Sequence, residues 1–143
     1  LAAGQSQVVA LCDVDRRMLN NAAAEVEQLS GATPKKYGDY RELLGQVDAV
    51  SLAVPTPLHH PIGRELLAAG IHLLVEKPLA TDRGGCERLI EAAARSTSCV
   101  TVGFNLRCHR LVQQARTLIA AGTLGPIQAV SSTWTSASSA TWR

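Results

Sequence analysis

The sequence is poor in aromatic residues, in runs of basic charge and in long apolar stretches. Only 3% of its 143 residues are aromatic, and the net charge is +2. The longest uninterrupted apolar run, Val8 to Cys12, is far shorter than the roughly 20 residues that a membrane-spanning helix needs. These absences argue against a nucleic-acid footprint and a polybasic membrane anchor, so we expect neither a nucleic acid nor a membrane as partner.

The four cysteines show no recognised pattern. No two of the cysteines form a CxxC pair, and none is spaced with a histidine pair as in a zinc site. Isolated thiols are typical of proteins from reducing compartments. We therefore expect reduced thiols, a cytoplasmic protein and no metal site. The four residues are Cys12, Cys86, Cys99 and Cys108.

The sequence does contain enough apolar side chain for a core, in a regular alternation of strands and helices. Apolar residues make up 46% and charged residues 18%, which indicates a folded domain. Parallel strands need crossovers of the length found here, so we predict an α/β fold with a doubly wound, mostly parallel sheet. The predicted strands cover 8–14, 33–37, 49–54, 72–75, 100–104 and 127–134, and the predicted helices cover 16–29, 40–44, 58–69, 81–95 and 111–121.

Local signals mark several helix starts and the burial of one strand. Asp15 and Thr81 can each cap the helix that follows, and Asp39 with Glu42 resembles a capping box. The stretch 49–54 carries no charge, which is the pattern of a strand covered on both faces.

An acidic residue and two arginines follow the first predicted strand. Asp13 ends that strand, and in a dinucleotide-binding fold an acid there accepts hydrogen bonds from the adenosine ribose. A surface acid or a second helix cap explains Asp13 equally well. Arg16 and Arg17 could lie against adenine or meet a 2′-phosphate, although solvated arginines at a helix start are the more common case.

A proline-containing loop leaves the carboxyl end of the strand at 49–54, where open α/β sheets bind ligands. Pro55 and Pro57 restrict the backbone, while Thr56 and His59 supply polar groups at the rim of the predicted crevice. A plain strand-to-helix turn accounts for the prolines as well. His59 and His60 do not make a metal site, since no carboxylate or cysteine completes a ligand set there.

The sharpest local feature is Glu76-Lys77-Pro78 at the end of an apolar strand. A charged side chain next to an apolar strand costs free energy unless it is paired or serves a function. A lysine at a strand's carboxyl end can exchange a proton or a hydrogen bond with a reacting oxygen. The alternative is an exposed ion pair on an ordinary turn.

Asn105 and Arg107 follow the strand at 100–104. Both would point at the same carboxyl-end crevice, where arginine suits a polyhydroxyl or carboxylate ligand. The alternative is ordinary polarity at a helix start.

Taken in order, these segments resemble the Gfo/Idh/MocA family of oxidoreductases (glucose-fructose oxidoreductase and inositol dehydrogenase) from about residue 8 to 130. The match rests on a strand and its acid at 8–15, the "D-x-V…P-x-x-x-H" stretch at 48–59, the "A-G-x-H-V-x-x-E-K-P" signature at 69–78, and later landmarks at 103–107 and 122–127.

The resemblance implies a nicotinamide-dependent dehydrogenase that acts on a sugar, polyol or inositol-like hydroxyl. Asp13 would hold the adenosine ribose, which favours NAD, and Arg16 keeps NADP possible. The same resemblance implies that the nicotinamide half of the cofactor contacts Pro55, Thr56, His59, Glu76 and Lys77.

The resemblance also assigns roles toward the substrate. Lys77 would bind the reacting oxygen and position it for hydride transfer, while Asn105 and Arg107 would border a carbohydrate-like molecule. The full-length protein is expected to be a homo-oligomer. The histidine that serves the family as acid or base would lie beyond this sequence.

The sequence departs from the family at its glycine-rich turn, since it contains no G-x-G-x-x-G. We therefore expect an internal fragment, with residues 1–121 an incomplete dinucleotide-binding domain lacking its first strand and residues 122–143 the start of a C-terminal domain. Such a fragment would be inactive alone, with poor solubility or weak NAD affinity. The alternative is a short non-catalytic protein of the same fold that binds a nucleotide or a partner.

Overall fold

The computed structural model describes residues 6–133, which divide into two compact units at Phe104 and Asn105. The expected domain boundary after residue 121 stays a prediction. In the first unit the order is β1 (Ala10–Cys12), α1 (Arg16–Ser30), β2 (Lys35–Tyr37), β3 (Ala49–Leu52), α2 (His59–Ala68), β4 (His72–Val75), α3 (Arg83–Arg95) and β5 (Val100–Val102). The second unit holds α4 (Arg110–Ala120). Short 3₁₀ helices lie at Tyr40–Leu43, Thr56–Leu58 and Asn105–Cys108.

All strand pairs are parallel, which confirms the predicted fold class. The strands form two sheets, with the order β1-β2 in one and β3-β4-β5 in the other. In the doubly wound strand order 3-2-1-4-5-6, strands 2 and 4 both neighbour strand 1. If β1 and β3 correspond to strands 2 and 4, a chain without strand 1 should have its sheet divided between them. The structure shows this division, and each of the two strands has only one partner among residues 6–133.

The main core lies on one face of the three-stranded sheet, beneath α2 and α3. Along β4, Leu73 and Val75 are buried while His72 and Leu74 are exposed. The same alternation in β3 exposes Ala49 and Ser51. The expectation that strand 49–54 is covered on both faces is therefore wrong for the described residues. The buried core residues are Leu52, Ile62, Leu66, Leu67, Ile71, Leu73, Val75 and Leu89.

Helix ends follow local chemistry in most places. Asp15 caps α1 by accepting hydrogen bonds from the amides of Arg17 (2.8 Å) and Met18 (3.3 Å). Asp39 and Glu42 form the predicted capping box. At α3 the predicted cap Thr81 is wrong by one residue, because the carboxylate of Asp82 accepts the amide hydrogen of Gly85 at 2.7 Å.

The last predicted strand, 127–134, is not present in its described part. Residues 127–133 form neither helix nor strand, and Ile127 and Val130 are exposed. Trp134 lies outside the described residues. Within residues 6–133, no helix has the length and apolar character needed to cross a membrane.

Candidate functional site at the carboxyl ends of β3, β4 and β5

Three adjacent parallel strands end at one edge of the sheet, and β4 is the central one. Leu52, Val75 and Val102 lie in register at their last positions. The ladder continues beyond them, since the amide of Glu76 donates to the Leu52 carbonyl at 2.9 Å and the amide of Gly103 donates to the Val75 carbonyl at 2.8 Å. The backbone at Glu76 is thus fixed on both sides, and the turn that follows projects from an ordered edge.

Glu76 and Lys77 are both exposed, and they do not form the ion pair considered from sequence. Within residues 6–133 the ion pairs lie elsewhere. The Glu76 carboxylate instead accepts the backbone amide of Lys77 at 3.1 Å. The peptide bond between Lys77 and Pro78 is cis. The Lys77 side chain is thus exposed at the carboxyl end of β4 and makes no salt bridge within the described part of the chain.

Gly103 makes room for the Glu76 carboxylate. A Cβ at position 103 would lie 3.2 Å from Oε1, 3.3 Å from Cδ and 3.4 Å from Oε2 of Glu76. The sequence analysis did not assign Gly103 to the site. A glycine directly after a strand, beside a strand that ends in an acid, is the signal that could have identified it.

The loop after β3 carries Pro55 and Thr56, as expected, and begins the 3₁₀ helix Thr56–Leu58. Pro55 is exposed and Thr56 is half-buried. Both therefore lie at the carboxyl edge of the sheet, where the sequence analysis placed them.

His59 does not present a polar group at the rim, and this part of the expectation is wrong. Its side chain is only 1% exposed. Nδ1 lies 2.8 Å from the carbonyl oxygen of Pro78, and Nε2 lies 2.8 Å from the carbonyl oxygen of Val54. Because both nitrogens face backbone oxygens, neither can contact a ligand directly in this arrangement.

Asp13 and Arg16 lie beside the two-stranded sheet, in the segment that leads from β1 into α1. Asp13 follows β1, is exposed, and accepts the amide hydrogen of Asp15 at 2.8 Å. Arg16 is exposed at the first position of α1. Beside Asp13, burial raises the pKa of the Cys12 thiol, and the carboxylates of Asp39 and Asp13 raise it further. The thiol form of Cys12 is therefore favoured, as expected for a cysteine that is not a nucleophile.

Asn105 and Arg107 lie in the second compact unit, on an exposed 3₁₀ turn. The Arg107 carbonyl accepts a hydrogen bond from the side chain of Gln113, which ties the turn to α4. Their role toward a substrate stays a prediction.

Comparison with known proteins identifies the family. Residues 2–104 match the model of the Gfo/Idh/MocA group, described as an oxidoreductase family with an NAD-binding Rossmann fold. The chain belongs to this family. Its Rossmann-type fold and its NAD cofactor follow from that membership. The family's description as one of oxidoreductases agrees with the resemblance identified from the sequence.

Two individual relatives are dehydrogenases by name. The chain is 30% identical to the UDP-N-acetylglucosamine 3-dehydrogenase of Acidithiobacillus ferrooxidans over 67% of its own length and 31% of that protein. It is 29% identical to the inositol 2-dehydrogenase of Salmonella typhimurium over 83% of its own length and 35% of that protein.

Among solved structures, the WlbA dehydrogenase of Bordetella pertussis in complex with NADH and UDP-GlcNAcA superposes with a TM-score of 0.75. It is 26% identical, and the match covers 87% of this chain and 35% of that one. The chain thus spans about a third of the length of these relatives.

Proposed function

We propose that this chain is the NAD-binding part of a dehydrogenase that transfers a hydride between a nicotinamide cofactor and a hydroxyl group of a sugar, polyol or inositol-like substrate. The proposal rests on the position of Lys77, an exposed lysine at the carboxyl end of the central strand β4 in a chain of an NAD-binding family. That edge is where open α/β sheets take their ligands.

The described residues fit two portions of the cofactor. Asp13 is an exposed carboxylate at the end of β1, which suits ribose hydroxyls, and Arg16 beside it suits the adenine or a 2′-phosphate. Pro55, Thr56 and Glu76 lie at the edge that would receive the nicotinamide half. The printed sequence holds no G-x-G-x-x-G turn, so these residues do not supply the usual cradle for the pyrophosphate.

Lys77 is the residue we assign to catalysis. The bound cofactor would supply the hydride chemistry, and the protein would supply orientation and charge. The Lys77 ammonium would donate a hydrogen bond to the reacting oxygen and stabilise negative charge on it as the hydride moves. The substrate side would be bordered by Asn105 and Arg107, and arginine is well suited to bind hydroxyl-bearing or carboxylate groups.

Three further proposals concern the full-length protein that carries this sequence. It would work in the cytoplasm, as isolated cysteines indicate. It would form homo-oligomers, in keeping with the resemblance. The cofactor would be NAD rather than NADP because Asp13 favours a free ribose hydroxyl, and parallel titrations with NADH and NADPH would test this preference.

The test of the catalytic proposal is Lys77→Ala in the full-length protein, assayed with NAD against inositols, free sugars and nucleotide-linked sugars. We expect kcat to fall by about 100-fold or more on the accepted substrate, since a positioned proton-transfer group contributes on that scale. The affinity for NADH should change little. Lys35→Ala removes an exposed lysine from β2 and serves as the matched control.

An unchanged kcat in Lys77→Ala would exclude the catalytic role of Lys77. Binding of NADH with no turnover of any panel member by the unmodified protein would favour the non-catalytic alternative.

A further inference from the structure

His59 is the one polar or charged residue that the described part of the chain buries. It is the first residue of α2, and its ring lies between two loops at the carboxyl edge of the sheet. One ring nitrogen contacts Val54, in the loop after β3, and the other contacts Pro78, directly after Lys77. The ring therefore bridges the ends of two neighbouring strands.

Both contacts are made to carbonyl oxygens, and a carbonyl oxygen only accepts hydrogen bonds. A neutral imidazole has one N–H group and one unprotonated nitrogen, so it can donate to only one of the two oxygens. The ring satisfies both contacts, each 2.8 Å long, when each nitrogen carries a hydrogen. The carbonyls of Val54 and Pro78 supply the two hydrogen bonds that a doubly protonated ring needs, and these offset part of the cost of burying its charge.

We propose that His59 is a positioning residue that holds the Lys77 turn and the Thr56 loop at a fixed separation by donating one hydrogen bond to each of them. The rigid ring sets the distance between the Val54 and Pro78 backbones, because each nitrogen is bonded to one of them. The consequence for catalysis rests on the proposed function, in which both loops receive the nicotinamide half of the cofactor.

We call the His59 ring with its two hydrogen bonds the clamp. Lys77 directly precedes Pro78, whose carbonyl is one of the two bonded groups, so the clamp acts close to the group that would contact the reacting oxygen. A misplacement of about 1 Å in a reacting group can cost about 100-fold in rate. Loss of the clamp should therefore reduce kcat more than it changes the substrate KM. A residue that only filled space in the core would instead change stability.

The first experiment concerns the ring itself and needs neither substrate nor activity. The full-length protein is labelled with ¹⁵N-histidine, and the His59 ring signals are identified as those missing from the spectrum of the His59→Gln variant. We expect both His59 ring nitrogens to have the shift of a protonated nitrogen, with slow hydrogen exchange. A stable His59 ring with one unprotonated nitrogen would overturn the two-donor clamp.

The second experiment separates positioning from packing. His59→Phe keeps an aromatic ring but removes both donors, and His59→Gln restores one donor. We expect kcat to fall by about 10-fold to 100-fold in His59→Phe and to recover partly in His59→Gln, with a smaller change in KM. His72→Gln removes a histidine from the opposite end of β4 and is the matched control.

Equal kcat values in folded His59→Phe and the unmodified protein would overturn the positioning role. If the unmodified protein turns over no substrate, the proposed function fails, and the ring spectrum still decides whether the clamp exists. Should His59→Phe not fold, His59→Gln is compared with the unmodified protein: a lower kcat supports the positioning role, an equal kcat overturns it, and the ring spectrum tests the clamp independently.

Discussion

At the scale of single residues, the candidate site depends on backbone contacts made by charged side chains. The Glu76 carboxylate accepts a hydrogen bond from the amide of Lys77, and it lies where a side chain at Gly103 would crowd it. Its hydrogen-bond partner is therefore a neutral backbone group. The ion pair between Glu76 and Lys77, the alternative considered from the sequence, is absent among the described residues, and the Glu76 carboxylate accepts the Lys77 amide instead.

We expect Gly103→Ala to displace the Glu76 carboxylate. The added Cβ would approach it to 3.2–3.4 Å, which is tighter than most contacts of a Cβ atom, and the exposed glutamate side chain is free to move away. Under the proposed function, kcat should fall several-fold while thermal stability changes little.

The matched control for Gly103→Ala is Gly38→Ala, because a Cβ at Gly38 meets no atom within 4 Å. Equal kcat in both variants and the unmodified protein would show that the position of Glu76 does not matter. Steady-state kinetics and a thermal melt measure the two quantities.

At the scale of secondary-structure elements, capping and core residues make different contributions. Sequence reasoning located α3 but placed its cap at Thr81, because a threonine and an aspartate in succession are both good caps. The backbone geometry decides for Asp82, whose carboxylate reaches the amide of Gly85. That hydrogen bond lowers the pKa of Asp82.

We expect Asp82→Ala to lower the melting temperature by a few degrees and Thr81→Ala to lower it less. The pKa of Asp82 is lower in the folded chain than in the unfolded one, so its stabilisation is present above the unfolded pKa and is lost as pH falls through the folded pKa. The difference between the two variants should therefore shrink in acid. Thermal melts at neutral and acidic pH measure it, and a larger effect of Thr81→Ala would contradict the assignment.

Core packing gives the second prediction at this scale. Leu89 is 1% exposed in α3 and its neighbour Ile90 is 60% exposed. Leu89→Ala should cost about 2–5 kcal/mol of unfolding free energy because it leaves a cavity under the sheet. Ile90→Ala should cost less than about 0.5 kcal/mol. Urea denaturation of both variants compares them, and similar midpoints would contradict the assignment of α3's buried face.

At the scale of the whole molecule, the two sheets leave β1 and β3 with one strand partner each among residues 6–133. The edge of β3 carries no charged residue along Ala49–Leu52. An uncharged edge strand tends to pair with another chain, and this leads to aggregation. The division of the sheet therefore has a consequence for the behaviour of the chain in isolation.

We expect the 143-residue chain, expressed alone, to be poorly soluble or to bind NADH weakly. Light scattering after size-exclusion chromatography and a NADH titration measure both properties. A soluble monomer that unfolds in two states and binds NADH with micromolar affinity would contradict this prediction. Lys77→Ala in the same chain should leave its association state unchanged, since Lys77 lies outside the strand edges.

The sequence by itself determined the order of strands and helices as far as α4, most helix caps and the family, because these depend on short-range chemistry and on motifs contiguous in the chain. Local patterns in the sequence predicted the cap at Asp15, the Asp39–Glu42 capping box and the Glu76-Lys77-Pro78 signature. Only the tertiary structure decided that His59 is buried between two carbonyls and that Gly103 accommodates Glu76. It also decided that one face of β3 is open. These features depend on which strands meet and which faces they cover, and no local pattern specifies such long-range contacts.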